Sequence, residues 1–297
     1  MPKYSATLPG TQMRITTRRA TICALGAAIL LSAGTGFMRV AVAGEPRQLR
    51  IGGTGMALAT MRQIAGAFTA GRTDIAIDIL PSLGTGGGLA ALAAGAIDLA
   101  LAARALTEAE RATGLRDAAY ARTPVAFVTH PSNSLAAITT TQIADVLTGT
   151  MTTWPDGTPV RLVRREPSDA DWKMLRGISP EMDRAVDVAL RRPGLLTVAT
   201  DQDNANLLER LHGSFGAISI GQLRAEDRHL TLFDLDGAPP TIDALISGRY
   251  KLARTLWAAW RQPPGPELAA FLTFLQGPQA SDILTRLGHV PSVGHAP

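Results

Sequence analysis

The stretch Leu80–Arg104, LPSLGTGGGLAALAAGAIDLALAAR, decides the fold. Just before it and at its start, DIAIDIL (74–80) alternates apolar and polar residues as a strand does. Gly84, Thr85, Gly86, Gly87 and Gly88 break that strand, GGLAALAAG (87–95) resumes as an alanine- and leucine-rich helix, and IDLALAA (97–103) reads as a second strand. Strand, helix and strand within roughly 30 residues predict a βαβ unit with parallel strands. The glycines carry chemistry as well. The first turn of a helix has unpaired N–H groups and a partial positive charge, and bare backbone lets an anion approach them. Thr85 adds a hydroxyl that gives or takes a hydrogen bond. Taken alone, the same pattern fits a plain helix cap with a flexible lead-in.

On either side the alternation of strands and helices continues. QLRIGGTG (48–55) runs from a strand into a glycine turn ahead of the helical LATMRQIAGAFTA (58–70). PVAFVTHP (124–131) reads as a buried strand closed by Pro131, and the threonines of TTTQIADVLTG (139–149) start a helix. PVRLVRREPSDADWKMLRGI (159–178) reads as a strand, a polar loop and a helix from about Ser168, and GLLTVATDQDNANLLERLHG (194–213) with GAISIG (216–221) gives strand, helix and strand. Three strand-to-helix junctions are polar or glycine-rich: Thr54–Met56, Gly84–Gly88 and Arg164–Asp169. Ligands of open α/β sheets bind beyond the strand ends where helix N-termini converge, so the three together predict a ligand cradle. Asp201, Asp203 and Asn204 begin another helix, as caps or as cleft-lining residues.

The first 43 residues read as an export signal: Arg18 and Arg19, an apolar run from Thr21 to Met38, and the small-x-small Ala41-Val42-Ala43. Cleavage after Ala43 removes Cys23, the single cysteine, and five basic residues with no acid, so the formal charge falls from +4 to −1. The remaining 254 residues are close to neutral, without the basic footprint that nucleic acid requires, and suited to an oxidising compartment. The twin arginines fit either the general or the twin-arginine export route. No Gly-x-Ser-x-Gly, His-Glu-x-x-His or Gly-x-x-x-x-Gly-Lys motif points to an enzyme, and the five histidines lack metal-ligand spacing.

In their order, GGTGMALATMRQIAGAF, SLGTGGGLAALAAGAIDLALAARALTEAE, the segment from TPVAFVTHPSN to VRLVRREPSDADW, and the C-terminal SGRYKLARTLWAAW with FLTFLQGPQASDILTRLGHVP resemble the periplasmic phosphate-binding proteins of ABC importers. The resemblance implies an α/β, two-lobed, class II binding-protein fold with hinge strands and a ligand cleft between the lobes. Crossings at PVAFVTH and GAISIG would make one lobe of 48–126 plus 221–297 and another of 127–220. It implies a monomer without cofactor or metal that captures a small inorganic or phosphorylated anion in the periplasm, phosphate first, and presents it to an inner-membrane ABC permease.

Residue by residue, the resemblance assigns ligand contact to Thr54 and Gly55 in the first loop, to Thr85 and Gly86 in the second, to Arg104, and to Arg164, Ser168 and Asp169 in the third. Arg164 lies four residues ahead of Ser168, so a guanidinium and a helix-start hydroxyl would grip the same oxygens. Arg165 is either a second anion contact or a solvated arginine, and Arg104 either a contact or a hinge brace. The chain departs from the family pattern at Gly55-Met56, at Ala102-Ala103, and at Ser168-Asp169-Ala170, where the family has Ser-Gly-Thr. A carboxylate about 4 Å from a bound anion repels it by roughly 4 kcal/mol at an effective dielectric near 20. Asp169 therefore either points away as a helix-start charge, accepts a hydrogen bond from a protonated ligand, or pairs with Arg164 or Arg165 until ligand arrives. These departures leave a second reading, a sensor or scaffold of the same fold whose ligand is altered or lost.

Overall fold

A computed structural model describes residues 46–292. The expected export segment, 1–43, lies outside the described residues. The chain begins with β1 (Arg47–Gly53), α1 (Gly55–Thr69), β2 (Ile75–Ile79), α2 (Gly84–Ala93) and β3 (Leu99–Ala102). β1 pairs in parallel with β2 on one side and β3 on the other, the arrangement predicted from residues 74–103. Two glycines let α2 sit against this sheet. Gly53 has φ +134°, and its Cβ position would collide with the Leu101 carbonyl; a Cβ on Gly88 would lie 2.7 Å from the Gly53 Cα. Bare backbone at both positions brings the start of α2 to the end of β1.

After α3 (Glu108–Ala112), capped by Thr107, comes β4 (Leu115–Thr129). Its first part pairs antiparallel with β12 (Ala253–Arg261), and its last five residues, Val125–Thr129, pair with β9 (Ser214–Ser219). The sequence reading began this strand at Pro124, a residue that donates no ladder hydrogen bond. Here Pro124 sits inside it, opposite Ala253.

Between β4 and β9 lie β5 (Ala137–Ile138), α4 (Thr140–Thr148), β6 (Arg161–Leu162), β7 (Arg164–Arg165), α5 (Ala170–Arg176), α6 (Pro180–Arg191), β8 (Thr197–Val198) and α7 (Asp201–Arg210). Thr139 and Gln142 form a reciprocal capping box at α4, so each satisfies an otherwise orphaned N–H. After β9 come α8 (Ile220–Ala225), β10 (Thr231–Leu232), β11 (Asp234–Leu235) and α9 (Ile242–Ile246), and after β12 come α10 (Pro266–Leu275), α11 (Pro278–Arg286) and β13 (Val290–Pro291). The main sheet runs β2-β1-β3-β12-β4-β9-β6, with β10 and β13 also on β4.

Two large apolar cores flank this sheet, with two smaller clusters beside them. One gathers Ile51, Leu58, Met61, Leu99, Leu256 and Phe271. The other gathers Phe127, Ile143, Trp154, Trp172 and Phe215. Phe233, Ala244, Tyr250 and Leu252 pack in this second core, although residues from 221 onward were expected with the first. The reason is local. β10 pairs with the far end of β4 and β11 pairs with β5, so the chain returns to the second core before β12. Trp154 anchors that core, with its indole N–H donating to the Gly213 carbonyl at 3.1 Å.

Candidate functional site

The starts of α1, α2, α5 and α7 face one cleft of about 860 Å³. Thr54, Thr85, Gly86, Arg104, Ser168 and Asp169 line it, while Gly55 and Arg164 do not.

Of the four helix starts, α2 is the most open. Gly84 has φ +67°, and nothing lies within 4 Å of the Cβ positions of Gly84 or Gly86, so these glycines leave their N–H groups accessible. The Thr85 hydroxyl accepts from Ala103 N at 3.0 Å, which orients its own proton for another acceptor. Met56 N, at the start of α1, instead donates at 2.8 Å to Asp201 Oδ2, a residue 145 positions away; the Thr54 hydroxyl reaches the same oxygen at 3.3 Å. A carboxylate from the protein thus sits where an anion would meet α1. Gly55 is packed beneath it: a Cβ there would be 2.8 Å from Asp201 Oδ2, and its carbonyl accepts from Gln202 Nε2 at 3.0 Å.

The arginine at the site is Arg165, not Arg164. Neighbours on a strand point to opposite faces, and β7 sends the two arginines in opposite directions. Arg164 turns to the end of α6, with Nε on Thr197 Oγ1 at 2.8 Å and Nη1 on the Arg192 carbonyl at 2.9 Å and the Leu190 carbonyl at 3.2 Å. Arg165 reaches Asp169 Oδ2 with Nε at 2.9 Å and Nη2 at 2.6 Å, Asp201 Oδ1 with Nη2 at 3.0 Å, and the Thr200 carbonyl with Nη1. Arg164→Ala should therefore lower stability by about 1–2 kcal/mol through lost hydrogen bonds to the end of α6. It should leave ligand affinity untouched, which urea unfolding and a binding isotherm on one preparation would check.

Of the alternatives open for Asp169, the structure shows the pairing with Arg165 through Oδ2; its Oδ1 also caps α5, accepting from Asp171 N at 2.8 Å, while the residue lines the cleft and does not point away. Arg104 lines the cleft, but both its terminal nitrogens grip Glu110 at 2.8 Å, which holds that carboxyl down to about 2.

Asp169, Asp171 and Asp201 thus face two guanidinium groups, Arg165 and Arg254; Arg254 Nη2 contacts Asp171 Oδ1 at 2.6 Å. Burial pushes Asp201 up to about 6, and Asp169 and Asp171 add to this while Arg165 and the Met56 N–H oppose it. Burial and Asp169 likewise push Asp171 upward, against Arg254 and Arg165.

Sequence reasoning left Asp201 as a cleft-lining residue, which it is, or as a helix cap. Thr200 holds that post, accepting from Asp203 N at 3.0 Å. Arg165 was legible in one respect: it stands four residues ahead of Asp169, the spacing used to choose Arg164 ahead of Ser168. Two of the scattered histidines also meet, His130 stacking on His212 at 4.1 Å with Ser132 between their Nδ1 atoms. No cluster of three metal-ligating residues forms among the described residues.

The PBP superfamily domain matches residues 40–279. The Borreliella burgdorferi phosphate-binding protein PstS is 20% identical over 202 residues, 64% of this chain and 71% of that protein. A Clostridium perfringens phosphate ABC transporter substrate-binding protein with bound phosphate superposes with a TM-score of 0.70 at 20% identity, over 83% of this chain and 100% of the other. An ABC-type phosphate transport receptor from Vibrio cholerae gives 0.59 at 21% identity, over 82% and 99%. The two-lobed α/β architecture of those proteins is the architecture found here, and the match across most of the described residues shows that this chain belongs to the PBP superfamily.

Proposed function

We propose that the protein captures a small oxyanion, phosphate first, in the cleft between its two cores and presents it to an ABC permease. The observation that carries this is the convergence of four helix starts and Arg165 on one cleft. Such N–H groups and a guanidinium stabilise anions without covalent chemistry. The names of the relatives point the same way: each is a phosphate-binding or phosphate-transport protein. They do not favour a sensor or scaffold that has lost its ligand, nor an enzyme. The export reading of residues 1–43 places the work in the periplasm, and a monomer suffices for it.

The hinge in this proposal lies where β4 passes from one partner to the next, at Pro124–Val125, and where the chain re-enters the main sheet at Ala253. This places the lobes at about 46–124 with 253–292, and 125–252, with α8 bridging them. The eight ligand residues then reduce to Thr54, Thr85, Gly86, Ser168 and Asp169, joined by Arg165, while Arg104 braces Glu110. Ligand held by both lobes favours the closed state, because only there are both sets of contacts made.

Calorimetric titration of the purified protein with phosphate, with sulfate as comparison, tests the reading. Saturable heat with phosphate is expected, and no heat with any oxyanion would sink it.

A further inference from the structure

A second chamber of about 990 Å³ adjoins the cleft and shares Ala103, Arg104, Ala170 and Lys173 with it. Its charge is one-sided. Lys173, Arg249, Lys251 and Arg254 line it, and the first three have no salt-bridge partner among the described residues. The acid on its wall, Asp236, is already engaged, accepting from Thr140 N at 2.9 Å and from the Thr140 hydroxyl at 2.6 Å. Arg254 has a side chain only 10% exposed, yet of its nitrogens only Nη2 makes a hydrogen bond among the described residues, and the buried Nε has no partner. An unpartnered buried donor is costly, so the pairing with Asp171 leaves Arg254 only partly satisfied.

Inorganic phosphate is too short to use both chambers at once. We propose, resting on the oxyanion reading above, that the ligand is an organic phosphate bearing a second acidic group. Its phosphoryl oxygens meet the start of α2 and Ser168 in the cleft, and its second acid meets Arg254 and Lys251 in the adjoining chamber, with Lys173 between the two. The local balance favours this division. The cleft near Arg165 is crowded with carboxylates, whereas the second chamber offers cations whose attraction for an acid is uncompensated.

The test is a set of calorimetric titrations of the full mature chain with inorganic phosphate, glycerol 3-phosphate and 3-phosphoglycerate. A glycerol bisphosphate in a parallel arm shows whether the second group is a carboxylate or a phosphate. A ligand with two acidic groups should bind about tenfold or more tighter than phosphate or glycerol 3-phosphate, the increment of one charged hydrogen bond. In the double variant R249A/K251A, whose two changes fall on exposed side chains, that preference should shrink severalfold while phosphate affinity holds. Phosphate binding as tightly as the two-acid ligands, or a double variant that keeps the full preference, would overturn the second chamber and leave the oxyanion reading standing. Silence with all four ligands would overturn both.

Discussion

Asp201→Asn should tighten phosphate binding by about two to three decades at pH 7.5. The wild-type carboxylate takes the N–H of Met56 at 2.8 Å and a nitrogen of Arg165 at 3.0 Å, two groups that an anion in this cleft would use. A like charge about 4 Å from the ligand opposes it by roughly 4 kcal/mol at an effective dielectric near 20, and each 1.4 kcal/mol is tenfold in affinity. The asparagine keeps an acceptor for Met56 N and removes the charge.

The same carboxylate gives the prediction a pH signature. The groups facing Asp201 are Arg165, Asp169 and Asp171, and with burial they leave it protonating near 6. Between pH 7.5 and 5 wild-type affinity should therefore climb toward that of the variant. Comparing the two proteins at each pH cancels the titration of phosphate itself. Stability follows the same sign. Asp201 titrates higher in the folded chain than in the unfolded one, where aspartate ionises near 4, so its contribution is fully present below about pH 4 and is lost as pH rises through 6. A gap between the proteins that stays constant with pH, or no tightening at all, would show that Asp201 does not compete with ligand.

Arg165→Ala should destabilise the fold by about 3–5 kcal/mol at neutral pH, the usual result of breaking a buried ion pair from one side. Its guanidinium serves Asp169, Asp201 and the Thr200 carbonyl, and its removal leaves three nearby carboxylates facing Arg254 alone. For a chain of this size the melting temperature should drop by roughly 6–20 °C. The loss should shrink at pH 5, where Asp201, pushed up to about 6 by burial, is largely neutral. Arg165→Lys should recover part of the stability, because it restores the charge but not the fork. Urea unfolding at both pH values decides the matter, and a neutral-pH loss below about 1 kcal/mol would show that the cluster does not need this arginine.

What was legible in the sequence was what nearby residues determine. The glycine-rich start of α2 announced itself because φ +67° at Gly84 and the Gly53–Gly88 approach both require glycine. Thr139 announced α4 because a threonine at a helix start is a cap, and the structure adds its Gln142 partner three residues on. The arginine choice failed by one position, since facing on a two-residue strand depends on partners that only the tertiary fold supplies: β8 for β7, and the end of α6 for Arg164. Asp201 was legible as a cap or a cleft-lining residue, but its contacts with the start of α1 and with Arg165 were out of reach for the same reason. Its partners lie 145 and 36 residues away, and as the first residue of α7 it looks like any acidic helix start. The return of Phe233 and Tyr250 to the second core also depended on pairings of two residues each, too short to leave a pattern.

The single strand Leu115–Thr129 binds both halves of the molecule into one object. Cut between Pro124 and Val125, the piece holding Phe127 and Trp154 would keep an apolar interior of its own but would begin with a raw strand end. The remainder would keep Leu115–Pro124, the whole length of strand along which Ala253–Arg261 is laid. Each fragment would keep its own strand partners, Ser214–Ser219 and Thr231–Leu232 for Val125–Thr129, and Ala253–Arg261 and Val290–Pro291 for Leu115–Pro124. What a cut there severs is the covalent continuity between the two halves and not a strand ladder.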